Sequence, residues 1–254
     1  MESEALAVHR ALVSTTARLY AEIEGARFEP RSDLIVAVCP GLSAPPFNGP
    51  WVVEDSPDAV AALPAAVAEV EAAGERAWVL TRSAHTRTRA AVRRLGLTHE
   101  ERLPALVAHP EELAETAGSA LEIAPIARHE IDETLDVLVV AFDEPRELFA
   151  CVTSAARRLS GTRWYVGRSG GRVVSTALGM TGDAAVGIFN VATLPEHRGH
   201  GYGAALTARA AADGFAGGAE LAYLQSSSIG HSVYRRLGFR DVEEYVLLTR
   251  PQPA

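Results

Sequence analysis

The segment Gly187–Ala212, GIFNVATLPEHRGHGYGAALTARAAA, decides the fold of the chain. An apolar run from Val186 to Leu194 is followed by Pro195, by the glycine-rich loop Arg198–Gly203 and by the alanine-rich stretch 204–212. This order predicts a strand, a turn that can hold a phosphate, and a helix. Three glycines at alternate positions let the backbone approach a ligand and leave several N–H groups pointing one way. Because these groups lie where a helix begins, its dipole adds to their attraction for an anion, and the loop is a candidate pyrophosphate site.

One class of ligand for this loop is a dinucleotide. Residues 199–204 satisfy a loose G-x-G-x-x-A pattern. That fingerprint requires its first glycine directly after a strand of a βαβ unit, whereas Pro195–Arg198 intervene here. The spacing therefore disfavours a dinucleotide.

A second frame, Arg198-x-x-Gly201-x-Gly203, resembles the R/Q-x-x-G-x-G/A signature of the GNAT superfamily of acyl-CoA-dependent N-acetyltransferases. The elements around it follow the order of that family: a strand with Val191–Thr193, the loop, a helix, a further strand and the sequence YRRLGF at Tyr234–Phe239. The two motifs together are more specific than either alone. The resemblance implies the GNAT fold, an α/β fold whose mixed, largely antiparallel central sheet is flanked by helices.

Composition limits the other classes of function. The chain has 254 residues, 48% of them hydrophobic, which is enough for one large domain or two small ones. A net charge of −8 argues against a nucleic-acid-binding surface. Cys39 and Cys151 have no ligand-like spacing to other Cys or His residues, so we expect neither a disulfide framework nor a metal site. Neither a signal peptide nor a membrane span is evident, and a soluble cytoplasmic protein is predicted.

The first half of the chain, residues 1–118, is predicted to be a second, smaller GNAT-like α/β domain. Its predicted order of strand, helix, strand, helix and Leu-Gly echoes the second half, and Arg93–Leu97 parallels Arg235–Phe239. The glycine loop is replaced by the turn Glu54–Asp58, whose carboxylates would repel a pyrophosphate. We therefore expect a degenerate domain at 1–118 that does not bind the cofactor, a linker around Glu111–Ser119, and a catalytic domain at 119–254.

The resemblance implies acetyl-CoA as the cosubstrate and assigns residues to it. In the family, the backbone of the strand before the loop bonds the pantetheine arm, and the loop holds the pyrophosphate. Ser226–Ser228, after the next strand, could bond the pantetheine or the acceptor, or could cap the next helix. The candidate cofactor-binding residues are Val191, Ala192, Thr193, Arg198, Gly199, His200, Gly201, Tyr202, Gly203, Ala204 and Ser227.

Tyr234 stands where the family carries its general acid. With an unperturbed pKa near 10 a tyrosine is protonated at neutral pH and can donate to the leaving thiolate, which predicts a decline of turnover at high pH. The alternative is a tyrosine that only packs against the sheet. The general base is not identified: strand residues 187–190 contain no acid, and Glu196, His197 and His231 are better explained as solvated surface residues than as bases.

The predicted function is therefore transfer of an acetyl group from acetyl-CoA directly to a primary amine of a small molecule or peptide. By position alone, Glu144, Glu147 and Phe149 would shape the acceptor pocket, where acidic groups favour a cationic amine. The missing base leaves open a non-catalytic acyl-CoA-binding regulatory module. A homodimer is compatible with the sequence, which does not decide the oligomeric state.

Overall fold

The computed structural model describes residues 2–42, 44, 47–115 and 121–251. The predicted boundary between residues 118 and 119 lies outside the described residues. The secondary structure elements, in chain order, are α1 (Glu2–Ala21), β1 (Arg27–Arg31), β2 (Leu34–Val38), β3 (Gly49–Val52), α2 (Pro57–Ala72), β4 (Trp78–Arg82), α3 (Thr86–Arg94), β5 (His99–Ala108), β6 (Glu122–Pro125), a 3₁₀ helix (Arg128–Thr134), α4 (Leu135–Phe142), α5 (Arg146–Arg158), β7 (Thr162–Ser169), β8 (Arg172–Gly182), β9 (Ala185–Thr193), a 3₁₀ turn (Pro195–His197), α6 (Tyr202–Ala216), β10 (Leu221–Gln225), α7 (His231–Arg236) and β11 (Arg240–Thr249).

The chain forms two compact units. Unit 1 contains residues 1–22 and 105–242, and unit 2 contains residues 23–104 and 243–254. Both are α/β, and both contain a mixed, largely antiparallel sheet with helices packed against it, so the predicted fold class is confirmed.

The sheet of unit 1 runs in the order β5, β10, β9, β8, β7, β6. Only the β9–β10 pair is parallel, with Ala185 opposite Leu221 and Gly187 opposite Tyr223. Helix α6 packs closely on β9, because a Cβ atom at Gly214 would lie 2.5 Å from Val186 Cγ1. Helix α1 contacts β8, β9 and α5 in the same unit.

The sheet of unit 2 runs in the order β1, β2, β3, β4, β11, with β3 and β4 parallel and the other pairs antiparallel. Helix α2 begins as the sequence predicts: Ser56 is the N-cap, its hydroxyl accepts from the Ala59 N–H group at 2.9 Å, and Pro57 follows. Gly74, with φ +84°, ends the turn after this helix.

Each compact unit combines segments from both halves of the sequence. Residues 105–108 of β5, from the first half, pair antiparallel with β10 in unit 1, and Thr15 of α1 accepts a hydrogen bond from the buried Tyr223 hydroxyl at 3.0 Å in that unit. Residues 245–249 of β11, from the second half, pair with β4 in unit 2. Unit 1 thus includes β5 from the first half of the sequence, and unit 2 includes β11 from the second half; we call these two the closing strands. Their partners lie far away in the chain, so local sequence patterns do not predict these pairings.

Candidate functional site

Unit 1 contains an open cavity of about 620 Å³. Four segments form it: the end of α4, the second half of β9, the glycine-rich loop with the start of α6, and the segment from Ser227 through α7. Its lining residues are Ala141, Phe142, Val191, Ala192, Thr193, His197, Arg198, Gly199, Gly201, Tyr202, Gly203, Ala204, Ser227, Ile229, Gly230, Val233, Tyr234, Arg236 and Leu237. The structure therefore brings together every predicted site residue except His200.

Strand β9 separates from β10 beside this cavity. Their pairing covers Ala185–Gly187 in the described parts of both strands, although β9 continues to Thr193. Asn190 has φ 51°, and the register between β8 and β9 shifts there, so the strand carries a bulge with one extra residue. The edge of β9 from Val191 to Thr193 is consequently left open to the cavity, and an extended ligand could add to it as a strand does.

A buried hydroxyl fixes the end of β9. Ser175 on β8 is fully buried, and its Oγ donates to the Ala192 carbonyl at 2.7 Å. The same Oγ lies 2.8 Å from Thr193 Oγ1. These bonds hold the two cavity-lining residues at one position relative to β8.

The loop after β9 presents backbone N–H groups. Gly199 and Gly201 have φ values of +82° and +77°, a left-handed conformation that favours glycine. Helix α6 begins at Tyr202 without a side-chain cap. Among the described residues, no N–H group from Gly199 to Ala204 donates to a backbone or side-chain acceptor outside the regular helix bonds. Together with the dipole of a 15-residue helix, these groups are a candidate anion site.

The two basic side chains of the loop do not point to the cavity in the same way. Arg198 donates from Nε to the Thr193 carbonyl at 3.3 Å and from Nη2 to the Ala141 carbonyl at 3.1 Å. His200 does not line the cavity; its Nδ1 lies 3.0 Å from the Arg198 carbonyl, and its ring lies 5.5 Å from that of Tyr202. The His200 ring therefore contacts its own loop and does not line the cavity, and the prediction that His200 binds the cofactor depends on its backbone N–H group.

Tyr234 lies in the wall of the cavity that α7 forms. Its ring packs against Gly230, where a Cβ atom would lie 2.9 Å from Tyr234 Cε2, and against Phe239 at 6.3 Å between centroids. Burial raises the pKa of the phenol to about 12. Its hydroxyl donates to no protein group among the described residues, so the O–H remains available to a ligand in the cavity.

Ser227 lines the cavity, so a bond to the cofactor stays a prediction. Its Oγ accepts from the Gly230 N–H group at 3.3 Å, which is the geometry of a turn before a helix and agrees with the alternative that the serines cap the helix. The neighbouring Ser226 is buried and donates to the Ser227 carbonyl at 2.7 Å.

The titratable candidates for a general base are not concentrated in the cavity. His231 lies 2.6 Å from Asp241 through Nε2 and does not line the cavity. Glu196 is exposed and lies outside the lining, whereas His197 lines it and stacks on Tyr202 at 6.4 Å. Within the described lining there is no carboxylate.

The residues predicted to shape an acceptor pocket do not themselves line the cavity. Glu144 and Glu147 are exposed, and Phe149 is buried with its ring 5.7 Å from that of Phe142. Phe142 and Ile229 both line the cavity. The exposed fraction is 46% for Phe142 and 81% for Ile229. The sequence does not predict either residue as part of the site, because an apolar residue in a helix or a loop is normally interpreted as core. Their exposure in the structure is the signal that identifies them.

The turn in unit 2 that corresponds to the glycine loop is already occupied by protein groups. Ser56 caps α2, and its Oγ lies 2.5 Å from Asp33 Oδ2. Asp55 accepts from the Thr88 N–H group at 2.7 Å, and so places its carboxylate at the start of α3. A helix end satisfied by a side chain has less to offer an anionic ligand.

The cavity, the open strand edge and the free N–H groups at a helix start are typical of an acyltransferase that holds its donor through a phosphorylated arm. Residues 122–242 match the family model described as an acetyltransferase (GNAT) domain, and this part of the chain belongs to that family. A comparison with curated proteins found no match.

Solved structures support the fold over nearly the whole chain. A GCN5-related N-acetyltransferase from Kribbella flavida is 22% identical, with 94% of this chain and 95% of that chain covered and a TM-score of 0.74. A functionally unknown conserved protein from Staphylococcus epidermidis is 14% identical, with 91% and 96% covered and a TM-score of 0.69. A GCN5-related N-acetyltransferase from Sphaerobacter thermophilus is 16% identical, with 91% and 84% covered and a TM-score of 0.64. In the described residues no helix is both long and apolar enough to cross a membrane.

Proposed function

We propose that the protein transfers an acetyl group from acetyl-CoA directly to a primary amine of a small molecule or peptide. The observation that carries this proposal is one cavity lined by an open strand edge, an unsatisfied helix start and an unpartnered tyrosine hydroxyl. These features lie in the order in which a thioester with a long phosphorylated arm would require them: an anion site, an extended backbone-bonding segment and a proton donor.

The cavity fits acetyl-CoA by its chemistry. The N–H groups from Gly199 to Ala204 suit a pyrophosphate, and no carboxylate in the described lining would repel it. The main-chain groups of Val191–Thr193 suit the amides of a pantetheine arm, which would bond them as an added strand. The 3₁₀ turn Pro195–His197 separates β9 from the first loop glycine, so the arrangement differs from that of a dinucleotide site.

The reaction requires a neutral amine to attack the thioester carbonyl and a group to stabilise the departing sulfur. Tyr234 is the donor that we assign to the sulfur. Because its pKa is raised to about 12, whereas an alkyl thiol has a pKa of roughly 8.5, full transfer of the proton to the thiolate is uphill. Tyr234 would therefore act mainly as a hydrogen-bond donor to the developing negative charge, and the thiolate would take its proton from solvent or from the amine nitrogen, which loses one proton as the amide forms.

A panel of amines with acetyl-CoA tests the proposal most directly. Polyamines, amino acids, aminoglycosides and short peptides would each be incubated with the protein, and release of the free CoA thiol would be followed over time. We expect at least one amine to accelerate thiol release in proportion to protein concentration, with the acetylated amine detected by mass spectrometry. Calorimetry with acetyl-CoA and with NAD would accompany it, and preference for NAD would contradict the assignment.

The second candidate is a non-catalytic acyl-CoA-binding regulatory module. The absence of a carboxylate from the described lining favours it, because no strong base faces the cavity. Tight binding of acetyl-CoA together with no thiol release across the whole panel would select this alternative.

A further inference from the structure

Two guanidinium groups line the cavity, and only one of them is engaged by the protein. Arg198, in the loop, bonds the carbonyls of Thr193 and Ala141, so it connects the end of β9 to the end of α4. Arg236, in the last turn of α7, forms no hydrogen bond and no ion pair with any of the residues that the structure describes. Its charge is available to a ligand.

The other basic groups of α7 are compensated by Asp241. His231 Nε2 lies 2.6 Å from one oxygen of that carboxylate, and Arg235 Nη1 lies 3.3 Å from the other. Arg236 faces the cavity, where no carboxylate is present among the described lining residues. A general preference for basic residues at a helix C-terminus would account for Arg235 and Arg236 alike, and so does not explain why only one of them faces the cavity without a partner.

The cavity thus has positive groups in two segments: the loop, with its N–H groups and the Arg198 guanidinium that is already bonded to two carbonyls, and α7, with the unpartnered Arg236. Acyl-CoA has two separate anionic centres, the pyrophosphate and the phosphate on the ribose 3′ oxygen. If the proposed function is correct and the loop holds the pyrophosphate, the second centre requires a cation elsewhere on the cavity. Arginine forms strong charge-assisted bonds to phosphate. We propose that Arg236 binds the ribose 3′-phosphate and makes the site selective for CoA over 3′-dephospho-CoA.

Calorimetric titration of the full-length protein with CoA and with 3′-dephospho-CoA measures this selectivity. We expect the wild type to bind CoA about 5- to 30-fold more tightly, the range of a charge-assisted bond at a partly exposed site. Arg236→Gln should bind CoA with the affinity that the wild type has for 3′-dephospho-CoA, and its own preference should fall to about onefold. Arg236→Lys should recover part of the preference. Raising the ionic strength should weaken the preference in the wild type, because an exposed pair is screened.

Arg235→Gln is the matched control, since Arg235 is adjacent, equally exposed and turned to Asp241. It should keep the full preference for CoA. Melting temperatures of all variants would be recorded, because a merely structural role for Arg236 would lower the melting temperature without changing the ratio of the two affinities.

Three results would overturn the inference. An equal loss of affinity for both ligands in Arg236→Gln would place Arg236 on the pyrophosphate. Unchanged affinities for both would assign the residue to the acceptor or to solvent. A wild type that binds CoA and 3′-dephospho-CoA with equal affinity would show that no group of the protein binds the 3′-phosphate. These outcomes are distinct from failure of the proposed function, in which the wild type would bind neither ligand.

Discussion

Gly201 and Gly203 belong to one loop but differ in backbone conformation and in the space around their Cα atoms. Gly201 has a left-handed backbone and open space where a side chain would start. Gly203 has ordinary helical backbone, and a Cβ atom there would lie 3.6 Å from Val191 Cγ1, a normal contact. Only Gly201 therefore requires glycine for its backbone conformation. A substitution at Gly203 causes no such backbone strain, so it tests the effect of a side chain on the ligand alone.

Gly203→Asp should weaken acetyl-CoA binding by more than about 100-fold, because a carboxylate would occupy the anion site and juxtaposed like charges cost several kcal/mol. The same carboxylate would lie in the first turn of α6, where it interacts favourably with the positive end of the helix dipole. The melting temperature should therefore not fall. Gly203→Ala adds only a methyl group and should keep its affinity within a few-fold. Calorimetry and thermal melting of both variants check this.

Gly201→Asp should also abolish affinity, and Gly74→Asp is its matched control. Gly74 is left-handed too, with φ +84° and no atom within 4 Å of a Cβ. Both substitutions therefore cost similar backbone strain, but only the first places a charge in the cavity. Equal loss of acetyl-CoA binding in both variants would show that these glycines serve folding, and the anion-site assignment would fall.

Tyr234→Phe removes the hydroxyl and keeps the ring against Gly230 and Phe239. We expect turnover to fall by roughly 10²- to 10³-fold, the effect of losing one hydrogen-bond donor to the developing charge, with the KM for acetyl-CoA and the melting temperature nearly unchanged. Near-normal turnover in the variant would remove Tyr234 from the catalytic residues.

The pH profile of the wild type should differ from the one the sequence predicts. An ordinary phenol would ionise near pH 10, but burial raises the pKa of Tyr234 to about 12. The protonated, donating form therefore persists to about pH 11, and turnover between pH 8 and 10 should show no decline from this group. A decline centred near pH 10 that vanishes in Tyr234→Phe would contradict the buried environment of the phenol.

At the scale of elements, ionic contacts fix the start of α1 within unit 1. Glu4 bonds Arg240, which also donates to Glu112 at 2.9 Å, and Glu4 lies 3.2 Å from His109 Nε2. The bond from Arg240 is the main cause that lowers the pKa of Glu4 to about 2. Burial acts to lower the pKa of His109, but the Glu4 and Glu220 oxygens and the charge of Glu112 outweigh it and raise that pKa above its ordinary value.

The signs of these shifts give a testable pH dependence. The contribution of the His109 charge to the free energy of unfolding is fully present below the unfolded pKa of about 6.5. It is lost as the pH rises through the higher pKa of the folded state. The contribution of Glu4 is present above its unfolded pKa and is lost only as the pH falls toward 2, so it stays constant between pH 6 and 9. His109→Gln should therefore destabilise unit 1 more at pH 6 than at pH 9.

Urea denaturation at the two pH values measures this difference. His99→Gln is the control, because His99 is exposed and forms no ion pair among the described residues. A destabilisation by His109→Gln that is equal at pH 6 and pH 9 would show that the imidazolium charge does not contribute.

At the scale of the whole molecule, the closing strands are exchanged between the halves of the sequence. Unit 1 needs β5 to pair with β10 and α1 to satisfy the Tyr223 hydroxyl, and unit 2 needs β11 to pair with β4. An open strand edge beside an exposed apolar core is a site of aggregation. We therefore infer that neither half of the sequence folds alone.

A fragment that begins at Ser119 should aggregate and fail to acetylate, because it lacks α1 and β5. Co-expression with residues 1–115 should restore a soluble complex, since the missing strand is then supplied in trans. Size-exclusion chromatography and CoA release measure both effects. Deletion of residues 2–22 alone would separate the contribution of α1 from that of β5. A monomeric, fully active fragment from Ser119 would contradict the strand exchange.

The first half of the sequence has no counterpart of the glycine-rich loop. We predict that residues 1–118 bind no CoA, and the Ser56 cap and the Asp55 carboxylate support that prediction. Acetyl-CoA titration of Gly201→Asp tests it: any residual site with a different affinity would belong to the first half.

Features that depend on near neighbours in the chain can be predicted from the sequence. The glycine spacing after β9, the Ser56 cap with Pro57, and the YRRLGF sequence each specify backbone geometry within a few residues. These signals sufficed for the fold class and for most of the cavity lining, because one strand, one loop and two helix ends supply it.

Tertiary structure decided what depends on which distant groups meet. The partners of β5 and β11, the orientation of the His200 ring away from the cavity, and the bonds of Arg198 to two carbonyls follow from packing. The same holds for Arg236: in the sequence it is one of two adjacent arginines, and only the position of Asp241 shows which of them is compensated. Hydrogen bonds and ion pairs act over a few ångströms in space, and residues far apart in the sequence reach that distance only once the sheets have formed.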